Sequence, residues 1–380
     1  MNTSYLRGMA LNCALGPERS TCIAALRSGR VNSNKLVLDM FDEPLELSYY
    51  RIVDGADLLD PKRMKHLLPP VVEAALAQAN LTVQQRRELP VFVGSSCFSI
   101  ANEESHYVRE LAHDPDHAMP MRLTGFDVIA SLVRETVGTN AAAFTWNTAC
   151  TSAANALLAA QRSLASGRYR QALVVGLELA NLTTLSGFSA LQLMADAVRP
   201  FDARRAGIVL GEGISAVLLD VESASASPRL VAGASNCDTH GVTGANPDGS
   251  SIAAVLARGL RMSGVEAGRI RALKAHGTGT VTNDEAEARG MHSVFSPMPP
   301  VCALKSWLGH TMGACGLNEL VLFASALEDG FIPAAAGFET IDETLNVVPL
   351  TEEITAGSGY YLLNQFGFGG NNTVLILEQP

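Results

Sequence analysis

The sequence is short of charge. Asp, Glu, Lys and Arg together make up 17% of its 380 residues, against 47% hydrophobic. That scarcity excludes a self-repelling, solvated chain and implies a large core, with apolar surface left over for a subunit interface. The charge present has no basic surplus: 28 Lys and Arg face 38 Asp and Glu, a net charge of −10 with a pI near 5.3. A nucleic-acid or anionic-membrane surface is therefore not expected, and an acidic partner would need a local basic patch. No C-x-x-C pair occurs. The seven cysteines, Cys13, Cys22, Cys97, Cys150, Cys237, Cys302 and Cys315, are scattered and odd in number. They argue against a disulfide framework or a zinc site and for a reducing compartment. No apolar run approaches the ~18 residues of a membrane span, and no basic stretch with an apolar run of leader length opens the chain. A soluble, cytoplasmic protein is expected. Its length is about twice that of a typical domain, which predicts two core-forming units or one large α/β unit.

The pattern alternates strands and helices. A strand over 89–94 is followed by a helix over 125–137, a strand over 141–145, a helix over 152–165 and a strand over 172–176. Such spacing predicts βαβ units and a largely parallel sheet covered on both faces. The second half repeats the theme: strand 270–275, helix 284–295, strand 301–303, helix 316–327. Each half closes on a hairpin-like element, 207–219 and 365–377, in which a glycine turn joins two strands. The likeness suggests an internal duplication, with a boundary inside 222–228 and halves 1–222 and 223–380.

Three segments carry the chemistry. Cys150 sits in WNTACTSAA (146–154), between a predicted strand and the first turn of a helix. Helix amides and the macrodipole favour a thiolate there, and the small neighbours allow a tight turn; burial as a structural thiol is the competing outcome. His276 sits in KAHGTGT (274–280), where glycines admit a close ligand and threonine hydroxyls can bond an extended polar chain. His310 lies five residues after Lys305, beside the small-residue run 313–316. Either histidine alone reads as a hydrogen-bonded packing residue. His66, His106, His113, His117, His240 and His292 keep that assignment, and no H-x-x-x-H or Cys/His ligand cluster suggests a metal. Lys305, Glu319, Asp284 and Glu287 are charges beside apolar strands and glycine turns. Surface ion pairs are the default for such residues, although the apolar helix around Glu319 makes burial plausible.

From about residue 61 to 377 the sequence resembles the elongating β-ketoacyl-acyl carrier protein synthases of fatty-acid and type II polyketide systems. Five motifs occur in that family's order: TACTS around Cys150, RPFD (199–202) running into GEG (211–213), AHGTGT with Asp284 and Glu287, KSWLGHTMGACGLNE (305–319), and NQFGFGGNN (364–372). The resemblance implies an α/β thiolase-like fold of two duplicated βαβαβ-type halves in a five-layered αβαβα arrangement. It implies that Cys150 accepts an acyl chain as a thioester, and that His276 and His310 donate hydrogen bonds while malonyl-acyl carrier protein loses carbon dioxide and condenses. The amides of Cys150 and Phe368 would form a second oxyanion hole, with Phe368 gating the acyl pocket. Lys305 and Glu319 would support the histidines, Lys305 paired to Asp284. Thr278, Thr280, Phe366 and Asn371 would line the substrate path. No permanent cofactor is implied, only the phosphopantetheine arm of the carrier protein.

Lys62, Arg63 and Lys65, with Arg204 and Arg205, form the basic patch expected to dock that acidic carrier. A homodimer, or a heterodimer with a related ketosynthase or chain-length factor, is the expected assembly. Thiolases place a second cysteine near the C-terminus, and none follows Cys315; starter-type enzymes carry asparagine where His310 stands. A chain-length-factor-like partner subunit is the competing reading, against which the intact Cys150 stands. A weak first strand (5–11), shortened stretches at 188–199 and 222–276, and Asn371 in place of a threonine set the chain apart from the housekeeping branch. They point toward a specialised polyketide, polyene or unusual lipid pathway.

Overall fold

Alternation of β-branched strands with Ala- and Leu-rich helices yields one mixed sheet of ten strands in the computed structural model, which describes residues 4–31, 33–38, 44–58, 60, 62–98, 100–119, 127–222 and 227–380. The strands are β1 (Ser4–Cys13), β2 (Val91–Gly94), β3 (Ala143–Trp146), β4 (Gln171–Glu178), β5 (Gly213–Asp220), β6 (Arg229–Cys237), β7 (Ile270–Lys274), β8 (Val301–Cys302), β9 (Gly359–Phe366) and β10 (Asn371–Gln379). Their order is β8-β7-β9-β10-β6-β1-β5-β4-β2-β3. Outward from β1, two antiparallel pairings lead through β5 to β4, and two parallel ones through β2 to β3. Outward from β6 the same succession runs through β10, β9, β7 and β8. A short antiparallel contact, Ser4 with Leu230 and Tyr5 with Arg229, joins the two fans.

The helices are α1 (Arg63–Ala77), α2 (Val128–Val137), α3 (Ser152–Ala165), α4 (Ser250–Ser263), α5 (Val281–His292) and α6 (Cys315–Glu328). Helices α1 and α2 cover the outer face of the first fan, α4 and α5 that of the second, and α3 and α6 pack together between the fans. This is the expected αβαβα layering. Residues Cys315 to Leu327 of α6 are all buried, as befits a helix apolar on every side. Close approach needs glycine: a Cβ on Gly94 would lie 2.3 Å from the Ala153 Cα, and one on Gly316 would lie 2.7 Å from the Ala153 neighbour's methyl at Ala154.

Two sequence expectations are corrected. The element over 207–219 is not a hairpin: Leu210–Gly211 pairs in parallel with Leu45–Tyr50, and the chain then crosses into β5. Glu212 drives the crossing, since its amide donates to the Tyr50 carbonyl at 2.8 Å and its buried carboxylate binds Arg63. The helix expected over 284–295 is α5, which starts earlier because the Thr280 hydroxyl caps it, accepting from Asn283 N at 3.4 Å. The helix expected over 125–137 is described from residue 128; residues 125 and 126, the start of the resemblance at residue 61, and 223–226 of the proposed boundary lie outside the described residues.

Candidate active site

The turn between β3 and α3 positions Cys150. Ala149 adopts φ +52°, a left-handed conformation costly for a residue with a Cβ, and it swings Cys150 to the helix entrance. There the Cys150 carbonyl accepts from the Cys315 thiol at 3.0 Å, tying the turn to α6. The Cys150 side chain is buried and lines a cavity of about 70 Å³ together with His276, His310, Thr278, Thr280 and Phe366. The three segments separated in sequence thus meet at one place.

Helix position alone suggests an acidic thiol, but burial pushes Cys150 up to about 11, against the hydrogen bond from the Phe368 amide and the Lys305 charge, which pull it down. The backbone amide of Cys150 itself pulls in the same direction.

His276 follows β7, and its backbone is held by Glu287: the amides of His276 and Gly277 donate to the two carboxylate oxygens at 2.7 and 2.8 Å. His310 is fixed by the short strand Leu210–Gly211 and by Val209, whose carbonyl accepts from His310 N at 2.8 Å. The rings stand edge to face, their centroids 5.5 Å apart. Tautomers follow from their partners. His310 Nδ1 accepts from Met312 N at 3.0 Å. His276 Nδ1 lies 3.0 Å from the Lys305 ammonium, which can only donate, and 3.3 Å from Gln365 Oε1, which can only accept. The shorter contact with the charged donor decides for an unprotonated Nδ1. Each ring therefore carries its proton on Nε2. Burial, then Lys305, holds His276 well below the ordinary imidazole value and His310 at about 3. Both rings are neutral donors at physiological pH.

Behind them is an ionic cluster. Lys305 Nζ donates to Glu319 Oε1 at 2.7 Å and to the His276 carbonyl at 2.8 Å. Burial alone would raise the Glu319 pKa, but Lys274 and Lys305 outweigh it and keep the carboxylate ionised. Lys305 does not pair with Asp284, as the sequence suggested. Asp284 accepts instead from Phe201 N at 2.8 Å and Gly279 N at 3.3 Å, and burial raises its pKa to about 6. That carboxyl shapes the turn in which the hydroxyls of Thr278 and Thr280 lie 2.9 Å apart.

Other expected residues divide. Phe366 packs edge-on against His276, with centroids 5.7 Å apart. Phe368 stacks on Phe188 at 5.5 Å and 7°, covering the cavity. Asn371 does not line it; Asn372, on the opposite face of β10, does. Lys62 and Lys65 are exposed, and Arg204 is half-exposed but paired with Asp202 and Glu339. Arg63 and Arg205 cannot present charge to a partner. Arg63 is 2% exposed, bound to Glu212 and Asp54, and Arg205 is buried against Asp342 at 2.5 Å. A run of basic letters hides this because carboxylates distant in sequence fold onto it.

Two family models cover most of the chain. One for the "Beta-ketoacyl synthase, N-terminal domain" matches residues 54–225, and one for the "Beta-ketoacyl synthase, C-terminal domain" matches 229–339. The chain belongs to the β-ketoacyl synthase family. Among curated relatives, a 3-oxoacyl-[acyl-carrier-protein] synthase 2 of Mycobacterium bovis is 30% identical over 244 residues, 60% of this chain and 58% of that protein. The matched stretch thus spans less than two thirds of that relative's length. A crystal structure of a β-ketoacyl synthase from Burkholderia phymatum matches all of this chain and all of its own, at 25% identity with a TM-score of 0.83. A ketosynthase in complex with its chain length factor from Xenorhabdus doucetiae matches at 23% identity, 100% and 98% coverage and a TM-score of 0.85, a likeness of fold.

Sequence reasoning gave no role to Lys274, Gln365 or Phe188. The signal for Lys274 was present in part: after Arg271 it is the second charge of a short strand, following Ala272 and Leu273 and two residues before a candidate catalytic histidine. Phe188 lies on the short helix Leu182–Ala190, whose apolar pattern does not distinguish a cavity cover from core.

Proposed function

We propose that the protein joins an acyl chain held on Cys150 to malonyl-acyl carrier protein by decarboxylative Claisen condensation, giving a β-ketoacyl-carrier product. The observation that carries this reading is a buried thiol sharing one small cavity with two neutral imidazoles whose remaining donors are Nε2–H. The Cys150 sulfur displaces the carrier thiol from its acyl thioester, and the thiol proton leaves with the carrier. The malonyl C–C bond then breaks, carbon dioxide departs, and the electron pair is held on the thioester oxygen by the Nε2 protons of His276 and His310. Preorganised donors in a dry site are what such developing charge requires. The resulting carbanion attacks the acyl-Cys150 carbonyl, the tetrahedral oxyanion is held by the amides of Cys150 and Phe368, and collapse releases the sulfur to take up a proton.

Thr278 and Thr280 hold the phosphopantetheine arm, and Phe368 with Phe188 must move for an acyl chain to enter, since the cavity beneath them is only about 70 Å³. Lys62 and Lys65, with Arg204 at the side, are the surface for an acidic carrier protein. The same reading assigns the nucleophile to a half spanning 1–222 and both imidazoles to a half spanning 223–380. The structural neighbours include a ketosynthase in complex with its chain length factor and a type II acyl-carrier protein in complex with its ketosynthase. Pairing with a second subunit of this kind is part of the proposal.

The test is the intact mass of the protein after incubation with acyl-carrier protein. An acyl adduct that maps to Cys150 supports condensation. No adduct, with the fold intact, favours a chain-length-factor-like partner subunit instead.

A further inference from the structure

Lys274 ends β7 with its side chain wholly buried, between Leu273 and Ala275, both also wholly buried. It lies outside the lining of the cavity, so it touches no reacting atom. Its ammonium donates to the Asn364 carbonyl at 2.7 Å and to Glu319 Oε2. Desolvating a third ion next to an already matched Lys305–Glu319 pair is costly, and a buried ion pair is weak evidence for a role in stability. An apolar residue of the same length would serve the core better.

The geometry assigns the charge another task. Both side chains at Nδ1 of His276 are anchored on Glu319. Lys305 Nζ, 3.0 Å from Nδ1, is held by Glu319 Oε1, and Gln365, whose Oε1 lies 3.3 Å from Nδ1, donates from Nε2 to Glu319 Oε2 at 3.1 Å. Glu319 is therefore the pivot that sets the ring, and Lys274 is its second fastening. We propose that Lys274 is a positioning residue for condensation, holding Glu319 so that Lys305 meets Nδ1 of His276 and the Nε2 proton stays in the cavity. This rests on the condensation reading above.

The ionisable groups facing this ammonium are Glu319 and Cys315 from α6, Lys305 and Cys302 from the segment around β8, Glu287 from α5, and both imidazoles, His276 and His310. Removing the positive charge of Lys274 relieves His276 of one repulsion, so the imidazole becomes easier to protonate. The acid limb of decarboxylation then moves to higher pH.

K274M and K274Q test the assignment in two reactions of the full chain: acylation of Cys150 by acyl-carrier protein, followed by mass, and carbon dioxide release from malonyl-carrier protein. Acylation is expected within a few-fold of wild type, while carbon dioxide release falls about tenfold to a hundredfold, less than for loss of a donor itself. Its acid limb should move up in pH, and methylammonium should restore part of the rate to K274A by refilling the space. The assignment is overturned if release is unchanged, if both steps fall equally with no change of pH profile, or if both K274M and K274Q fail to fold. If wild type neither acylates nor releases carbon dioxide, the condensation reading fails. Lys274 is then judged by the ¹⁵N titration of His276, which K274M must shift to higher pH and which would overturn the assignment by staying in place.

Discussion

Two buried ionic clusters in this protein have opposite composition. Around Arg63 one cation lies between two carboxylates, Glu212 and Asp54, at 2.8 and 2.7 Å. Around Glu319 one carboxylate lies between two cations, Lys274 and Lys305. In the first, Glu212 spends its remaining acceptor capacity on the amides of Ile52 and Ala180, so the cluster fastens three segments and faces nothing reactive. In the second, a donor is directed at an imidazole that lines the cavity. On the proposed reading, burial serves architecture in one place and chemistry in the other, and the difference is which charge is in excess and where it points.

The largest effect should come from the chemical side. Cys150→Ala is expected to lower acyl transfer by ~10³-fold or more, measured as product mass, while carbon dioxide release from malonyl-carrier protein survives because it needs only the imidazole donors. Arg63→Ala should do the reverse. It leaves Glu212 buried without its cation, so denaturant unfolding should show a loss of about 3–5 kcal/mol, and whatever remains folded should still acylate Cys150. If Arg63→Ala is stable but catalytically dead, the contrast between the clusters collapses. His310→Ala should cost carbon dioxide release about 10²–10³-fold with Cys150 acylation retained; normal condensation would remove His310 from the oxyanion hole.

Acidity separates the same groups. His310 titrates at about 3 in the folded protein against 6.5 ordinarily. The unfolded chain therefore binds a proton in that interval and the native one does not, so stability falls as pH drops from 6.5 toward 3. Carbon dioxide release should show no imidazole acid limb between about pH 5 and 8. The thiol lies on the other side: with Cys150 near 11, its alkylation rate should keep rising through neutral pH. The smallest effect belongs to the surface. Reversing Lys62 and Lys65 to Glu should raise the Michaelis constant for carrier protein a few-fold with turnover little changed, and salt should mimic it.

Much of this was legible in the sequence because the signals are local. Helix α3 falls on its expected bounds, and α6 within a residue of them, since alanine and leucine on every face require a middle layer. Cys150, His276 and His310 sit in short motifs whose order is informative by itself. What escaped is what folding brings together from a distance. The burial of Arg63 and Arg205 depends on Glu212 and Asp342, and the partner of Lys305 depends on how α6 lies against β7. The crossing at Glu212 looks like a glycine turn until Leu45–Tyr50 is seen to claim Leu210. Asn371 and Asn372 differ only by the two-residue period of a strand, so a one-residue error turns a lining residue into a non-lining one.

Burial and the cationic cluster keep both cavity imidazoles neutral, each with its proton on Nε2. Histidine ¹⁵N shifts of the full chain, assigned with His276→Asn and His310→Asn and followed from about pH 8 to pH 5, test it directly. Two rings that stay in the neutral Nε2–H form throughout are expected. An imidazolium at either position near neutral pH, or a proton on Nδ1, would contradict it.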